Sequence, residues 1–599
     1  MKKIHSIYLV AFIFSVLGII YQLLIAQALT VLSGNSIVKY SLVIGFYLFA
    51  SGIGSFLVGK KSLKKIPEVL LKTELLVSLV ATISIPVIYF FHIFQRYLVL
   101  TPSRQQFFIL IFWLVSGVII VAVGWLKGRE LALIIGLSKE HHFKQVNIVL
   151  SLDYFGCLAG ALIFYFILIS QFNLFQIVAI SAVANLLTVF IFVIYYFSFS
   201  NRRFLSVSVI LFILTIAFAV NSATIEQYFL KKFYFRPYEI NFSTVFMPNK
   251  DVPDIQIFDS PYQQISLTKI SAVNPSIYID TNDYSRDIYL LSRYSRKLFI
   301  QPDFPANYLF SLNGNIQSFS GSEELNAEYS VHVPIIANGV PERVLIIGGG
   351  NGITAREILK YDQVKEIIQV EIDPEVIRLA KENKIFKTIN NDSLNDPRVH
   401  VVVDDGFAFL KVNHSRFDAV FIDVQWPYDY NLSRIFSREL FSFVKNRLEP
   451  AGFLAIVAIF SPTDTANWEI LRNTLSVAGF QTIVPYFTVL EDSNAAAIEF
   501  IKKITADLAN QGKLIDHQKL LKQYLLEIFL AGHIYAKVQP SVDHLAYQDF
   551  NLPLNVLNQQ RFDLAFDYSY LSFNPVVESN GVKRVNSIFQ PAFYVLFKH

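Results

Sequence analysis

A multi-span α-helical membrane domain, followed by an α/β domain with a small antiparallel β region at its start, is the architecture this sequence predicts. Three observations carry it. The 599-residue chain is 53% hydrophobic and only 16% charged, with a mean hydropathy of +0.43, too apolar for a wholly soluble protein. The apolar excess lies in the first third, as long runs separated by short basic loops. Beyond about residue 340, short strands alternate with helices, the pattern of a parallel sheet covered on both faces.

A bilayer-crossing helix needs about 20 apolar residues. Seven runs meet that length: 5–30, 38–59, 69–94, 107–126, 147–170, 174–199 and 203–221. The first also resembles a signal peptide, with Lys2 and Lys3 before it and Ala26-Gln27-Ala28 within it, but its length and the spans that follow favour a membrane helix. Lys and Arg in short loops set orientation. Lys2 and Lys3, the loop with Lys60, Lys61, Lys64 and Lys65, the loop with Lys127, Arg129, Lys139 and Lys144, and Arg202 with Arg203 all fall on one side. The alternate loops hold Lys39, Arg96 and Arg104. The N-terminus is therefore expected in the cytoplasm and the protein in the cell inner membrane, multi-pass. Seven spans then put the remainder outside, whereas Lys231, Lys232 and Arg236 argue for the opposite side, so the counts leave its side open. Glu74, Glu130 and Asp153 lie in or beside spans and are functional candidates unless they sit at the interface. Asp153-Tyr154-Phe155-Gly156, with Gly160, suits close packing of helices through small residues.

Residues 222–254 read as a connector, and 255–335 as the small β region of the second domain. Strands are expected at 255–258, 264–269, 276–280 and 308–312, with Asn313-Gly314 as a hairpin turn. The α/β pattern fills 336–505. Arg343–Ile347 is a buried strand, Gly348-Gly349-Gly350-Asn351-Gly352 follows, and Ile353–Lys360 is helical. Glu366–Val370 is a second strand ending at Glu371, with a helix over Glu375–Glu382. Val399–Val403 ends at Asp404-Asp405-Gly406, Phe417–Ile422 ends at Asp423, and Phe453–Phe460 is a fifth strand. Ligands bind at the carboxyl edge of such sheets.

Glycines without Cβ let the backbone approach a ligand. Glu371, about 20 residues beyond the loop, is placed to accept bonds from ribose hydroxyls, and Asp405 to accept one from an adenine amino group. A plain strand–helix turn would explain the glycines alone, but not acids at the next strand ends. No Lys-Ser/Thr pair follows the glycines, which argues against triphosphate hydrolysis. The expectation is a Rossmann-like, methyltransferase-type domain for an adenosyl-sulfonium molecule. The small net charge of +4, largely in loops of the first third, gives no case for nucleic acid. A single cysteine, Cys157, rules out an intrachain disulfide framework, and no metal-ligand spacing is present, so no metal is expected.

These residues resemble the spermidine/spermine synthase (polyamine aminopropyltransferase) family, in its bacterial membrane-fused branch. The matching pieces are Ser260-Pro261-Tyr262-Gln263, Leu312-Asn313-Gly314-Asn315-Ile316-Gln317, the glycine loop, Glu371-Ile372-Asp373, Asp405-Gly406-Phe407, the segment from Asp423 to Glu439, the seven-span front and the tail Asn586–Phe597. The resemblance implies transfer of an aminopropyl group from decarboxylated S-adenosylmethionine to an amine. It implies that Gln263, Gly348, Gly350, Asn351, Gly352, Glu371, Asp405 and Gly406 hold the donor, and that Asp423 accepts the proton of the attacking amine, which needs a free lone pair. Gln317, Trp426 and Tyr430 are candidate acceptor contacts. The expected partners are the lipid bilayer and a small amine, and a homodimer is compatible with the family.

Departures fall on the amine side. The family's Gly-Gly-Gly-Asp-Gly is Gly-Gly-Gly-Asn-Gly here, its Tyr-His or Tyr-Gln pair is Asn326-Ala327, the second acid of Asp-x-x-Asp-Pro is Trp426 before Pro427, and a later proline is Tyr430. An amide is no counter-ion for an ammonium, and Asn351 does not repel the carboxylate of ordinary S-adenosylmethionine. Two alternatives therefore stand: an S-adenosylmethionine-dependent methyl or alkyl transferase, and a non-catalytic membrane carrier or sensor. Residues 506–599 are expected to be a helical extension and tail, with an amphipathic helix, packing or lid, over Gln511–Val538 and His533 as a packing or surface residue in it.

Overall fold

A computed structural model describes residues 2–33, 36–59, 66–98, 102–140, 146–197, 202–237, 246, 254–269, 277–279, 308–319, 323–425, 427, 430–460, 465–488, 532–540, 547–548, 550–566, 584–589 and 592–593. The chain forms two compact units, the first from Met1 to Thr268 with 272–289 and 310–316, the second from the remainder.

The first unit is built on seven helices: α1 (Lys2–Ser33), α2 (Ser36–Gly59), α3 (Ile66–Leu98), α4 (Pro102–Glu140), α5 (Val146–Ile163, continued through a π turn to Gln171), α6 (Leu174–Phe197) and α7 (Arg202–Tyr234). All seven are long and apolar enough to cross a membrane. They are apolar on every side. Phe14, Leu24, Val77, Leu133 and Leu186 are buried, while Phe49, Phe166 and Val220 are 67%, 67% and 78% exposed, so the helices pack on one another through apolar faces and leave other apolar faces uncovered.

Small residues set the helix contacts. A Cβ on Gly128 would lie 1.8 Å from the Ser51 carbonyl oxygen, and one on Gly124 2.5 Å from that of Tyr47, so α4 lies directly on the backbone of α2. On α5, Gly156 and Gly160 lie against Phe12, Ser15, Val16 and Ile19 of α1 in the same way, the close packing expected of that pair.

Two spans run longer than the apolar pattern suggests. The fourth continues from Phe107 to Ser138 and the seventh from Ser206 to Tyr234. Lys127 and Arg129 are helical rather than loop residues, because Lys127 is buried in a close ion pair with Glu130. Part of the expected connector is likewise the end of α7, followed by β1 (Phe235–Pro237).

Strands β2 (Gln256–Asp259), β3 (Gln264–Lys269), β5 (Tyr308–Leu312) and β6 (Asn315–Phe319) form a sheet in the order β2-β3-β5-β6, and β4 (Ile277–Ile279) pairs with β1. Asn313 and Gly314 both take positive φ, +47° and +77°, as a tight hairpin turn requires. The pattern assigns these strands to the α/β part, yet most of their residues group with the helices. The contacts explain it: Ser266 donates to Tyr234 (2.7 Å), Gln227 exchanges two bonds with Ile255 (2.7 and 2.8 Å), and Gly314 lies against Val31 and Phe233.

The second unit is an α/β sandwich. Its strands β7 (Arg343–Gly348), β8 (Glu366–Glu371), β9 (Val399–Val403), β10 (Phe417–Asp423), β11 (Leu448–Phe460), β12 (Thr482–Phe487) and β13 (Gly532–Lys537) lie in the order β12-β13-β11-β10-β7-β8-β9. β13 runs antiparallel to both neighbours, and β9, β8, β7, β10 and β11 are parallel. The order reverses between β7 and β10, the point at which sheets of this kind place their ligand crevice, at the carboxyl ends of the strands.

Alternation within each strand feeds two cores. Leu345, Ile347, Val420 and Ile422 pack with α12 (Gly406–Val412), α14 (Arg438–Arg447) and α15 (Thr465–Ala478) on one face. Val344, Ile346, Ala419 and Phe421 pack with α8 (Glu323–Asn338), α9 (Ile353–Ile358) and α10 (Pro374–Glu382) on the other. The short helices α11 (Lys384–Ile389) and α13 (Tyr430–Ile435) complete the series. Gly532–Lys537 is a central strand where an amphipathic helix is expected, and His533 in it is fully buried, its ring stacked on Tyr486 at 5.2 Å. The rest of the expected helix lies outside the described residues. A buried sheet position hides the alternation that would distinguish strand from helix.

Candidate active site at the strand ends

The glycine loop joins β7 to α9 at the point where strand order reverses. Gly348, Gly349 and Gly352 take φ of +81°, +62° and +82°, which side chains with a Cβ rarely adopt. Space matters as much. A Cβ on Gly349 would sit 2.7 Å from Oδ2 of Asp423, and one on Gly350 2.7 Å from Oε2 of Glu371. The loop thus lies directly on the two acids that end its neighbouring strands.

Glu371 is held by backbone. Its Oε2 accepts the Gly350 N–H (3.2 Å) and its Oε1 the Asp373 N–H (3.0 Å). Burial pushes its carboxyl up to about 7, against the opposing pull of those N–H bonds. Asp423 is also raised by burial, opposed by the Thr354 hydroxyl, which donates to Oδ2 at 2.6 Å. The Gly349 N–H donates to the Asp423 carbonyl at 2.7 Å and pins the loop to β10. Two acids from the strands on either side of β7 therefore flank one loop, each with its affinity for protons raised by burial.

Asn351 turns onto its own loop. Its Oδ1 accepts the Ile353 N–H (3.0 Å), and its carbonyl accepts from Asn390 (2.9 Å). Ser393 donates to the Gly352 carbonyl at 2.7 Å. Asp405 is the N-cap of α12: Oδ1 accepts the N–H groups of Phe407 (2.8 Å) and Ala408 (3.1 Å), and Oδ2 faces Arg434 at 3.5 Å. The cap and the ion pair engage both oxygens, so an adenine amino group would have to share Oδ2. Gly406, against Ile347, begins the same helix.

Beneath the loop, α9 is anchored by a buried ionic network. Glu357 receives His332 (2.8 Å), Arg356 (2.7 Å) and Lys360 (2.6 Å), and Arg356 reaches Glu323 at 2.7 Å. Burial alone would raise Glu357, but the His332 bond and the Arg356 charge hold it down at about 2. Glu328 accepts three backbone N–H groups from Asn555, Val556 and Leu557 at 2.7–2.9 Å.

The structure brings Gly348, Gly350, Asn351, Gly352, Glu371 and Asp423 together around one loop, with Asp405 and Gly406 at the end of β9 beside β8. Gln263 closes the Ser260–Gln263 turn of the first unit, and Gln317 lies in β6. Trp426 and the Tyr430 side chain lie outside the described residues. Thr354, Asn390, Ser393 and Arg434 carry site contacts that the sequence reading does not single out. Thr354 stands two residues beyond the loop on the first helical turn, a position that a search for strand-end acids passes over. Among the described residues no group of three or more His, Cys, Asp or Glu is placed to hold a metal.

Residues 323–510 match the spermine/spermidine synthase domain. The chain is 28% identical over 461 residues to a polyamine aminopropyltransferase of Oceanobacillus iheyensis (76% of this chain, 78% of that one). It is 27% identical over 455 residues to one of Leptospira interrogans (75% and 78%). It is 26% identical over 438 residues to polyamine aminopropyltransferase 2 of Aquifex aeolicus (73% and 75%). Among solved structures, a spermidine synthase from Thermotoga maritima matches 52% of this chain and 83% of its own at 20% identity and a TM-score of 0.36. Residues 323–510 therefore carry a spermine/spermidine synthase domain, in a chain that aligns with polyamine aminopropyltransferases over about three quarters of both lengths and that has seven long apolar helices ahead of that domain.

Proposed function

We propose that the α/β unit moves an aminopropyl group from an adenosyl-sulfonium donor to a small amine, with Asp423 as the proton acceptor. Similarity to polyamine aminopropyltransferases over three quarters of the chain supports a transferase of that kind. The observation that carries the finer reading is the pair of acids flanking the glycine loop, Glu371 on β8 and Asp423 on β10. Glu371 is the ribose anchor. Its two backbone donors fix the carboxylate, and its remaining lone pairs accept ligand hydroxyls. Asp423 stands at the crevice, where the amine nitrogen attacks the carbon bonded to sulfur. The C–N bond forms, the C–S bond breaks with its electron pair going to sulfur, and the amine proton passes to Asp423. Thr354 occupies Oδ2 and fixes the carboxylate, so Oδ1 is the oxygen that takes the proton. A carboxylate with raised affinity for protons is the better base near neutrality. Positioning of amine and sulfonium carbon supplies the remainder. The seven helices are the multi-pass membrane part, in the cell inner membrane.

Product analysis tests this. The full-length protein in detergent, given decarboxylated S-adenosylmethionine and a set of diamines, is expected to yield an acceptor heavier by one aminopropyl group by mass spectrometry. No mass change, with donor bound, would leave a binding protein and overturn the reading.

One observation favours a second donor. Because Asn351 Oδ1 is engaged by the Ile353 N–H, its Nδ2 is the end able to meet a ligand, and a donor N–H suits a carboxylate rather than an ammonium. Ordinary S-adenosylmethionine carries that carboxylate. Calorimetry with both molecules decides: a clear preference for the decarboxylated form would rule this donor out.

A further inference from the structure

The helical unit holds a buried polar cluster that the transfer chemistry does not use. Glu74 of α3 is 1% exposed, and neither of its carboxyl oxygens has a hydrogen-bond partner. The Glu130 carboxyl of α4 lies beside it. Lys127, one turn earlier on α4, forms a close ion pair with Glu130 and donates to the Phe14 carbonyl at 2.8 Å. Asn185 of α6 donates to the Glu74 carbonyl (3.2 Å) and to Ser78 (2.8 Å), while its own Oδ1 has no partner. The buried Tyr21 hydroxyl of α1 is also unpartnered.

The charges do not balance. Lys127 offsets Glu130, which leaves Glu74 as a carboxylate with no counter-charge of its own, and such a group is costly to bury. Two acids side by side cannot both ionise cheaply, and one proton shared between them removes the conflict. A proton also gives one Glu74 oxygen a hydrogen to donate, which ends its orphaned state. At about 1.5 Å per residue, Glu74, Glu130, Lys127 and Asn185 lie roughly 10–20 Å in from the helix ends on the Lys2 side. Other titratable groups around the pair are Tyr21 on α1, Tyr47 on α2, and Asp153 and Cys157 on α5. Asp153 is engaged by the Ser15 hydroxyl.

We propose that Glu74 and Glu130 form a proton-exchange site inside the helical unit, with Lys127 holding the charge of Glu130, so that these helices bind and release a proton as well as anchoring the chain. One proton passes from solvent to a Glu74 carboxyl oxygen and back, with no redox step. The proposal is independent of the transferase reading.

The test is infrared difference spectroscopy across a pH titration of the full-length protein in lipid nanodiscs. The expected result is a protonated-carboxyl band that grows as pH falls, shifts in D2O and vanishes in Glu74→Gln. Glu74→Asp, which keeps a carboxyl and fits the space, should move the band without removing it. No titrating band in the wild type, or a band unchanged in both variants, would overturn the proposal.

Discussion

Two sets of buried acids in the α/β unit are treated in opposite ways. Beneath the glycine-loop helix, Glu357 is met by His332, Arg356 and Lys360 and is held down at about 2. At the strand ends, Glu371 has backbone donors but no cation and rises to about 7, and Asp423 has the Thr354 hydroxyl and is raised too. The difference separates roles. Acids that hold the frame are fully partnered, whereas acids at the strand ends keep lone pairs free and a raised affinity for protons, as the proposed ligand anchor and base require. Glu74 in the helical unit follows the second pattern, with neither carboxyl oxygen hydrogen-bonded.

The comparison can be broken in several ways. The largest effect is expected from Asp423→Asn, which removes the proposed base. Turnover should fall by about 10²–10⁴-fold in a mass-spectrometric rate assay, with the thermal transition of the α/β unit unchanged or slightly higher. Next is Glu357→Gln. It strips the shared partner from His332, Arg356 and Lys360 and should cost about 3 kcal/mol, read as a lower transition temperature by calorimetry.

The pH dependences should run in opposite directions. Glu357 has a folded value below its ordinary 4.5, so its stabilisation is present above about 4.5 and is lost as pH falls toward 2. Glu371 has a folded value above 4.5, so its protonated form favours the fold, and stability declines as pH rises from about 4.5 through 7. Melting curves of Glu371→Gln against wild type should therefore converge at low pH and separate, with the variant higher, above 7. A variant less stable at every pH would contradict the role given to burial. The smallest effect is expected from Asn351→Asp. Restoring the acid should shift preference toward the decarboxylated donor by about tenfold, or 1.4 kcal/mol, in competition calorimetry.

Much of this was legible beforehand. The parallel strands carry continuous apolar runs, and each ends in a residue that the sheet delivers to one edge, so Glu371, Asp405 and Asp423 could be placed from spacing alone. The seven helices announce themselves by length. What stayed hidden is tertiary. Lys127 and Arg129 look like loop cations, and only the Glu130 partner and the carbonyl of Phe14 make Lys127 a buried helical residue. The Asp405 cap depends on where α12 starts. Thr354 gains its role from a strand 69 residues away. β13 is inserted antiparallel between β11 and β12, and its fully buried alternation gives no period to read.

The most direct test of the account pairs two variants in the full-length protein, measuring donor affinity by titration calorimetry and the chemical step by single-turnover mass spectrometry. Glu371→Gln should weaken donor binding and leave the step on saturated enzyme largely intact. Asp423→Asn should bind donor as the wild type does and lose the step. If both variants lost binding equally, or if Asp423→Asn turned over at the wild-type rate, the division between ribose anchor and base would be wrong.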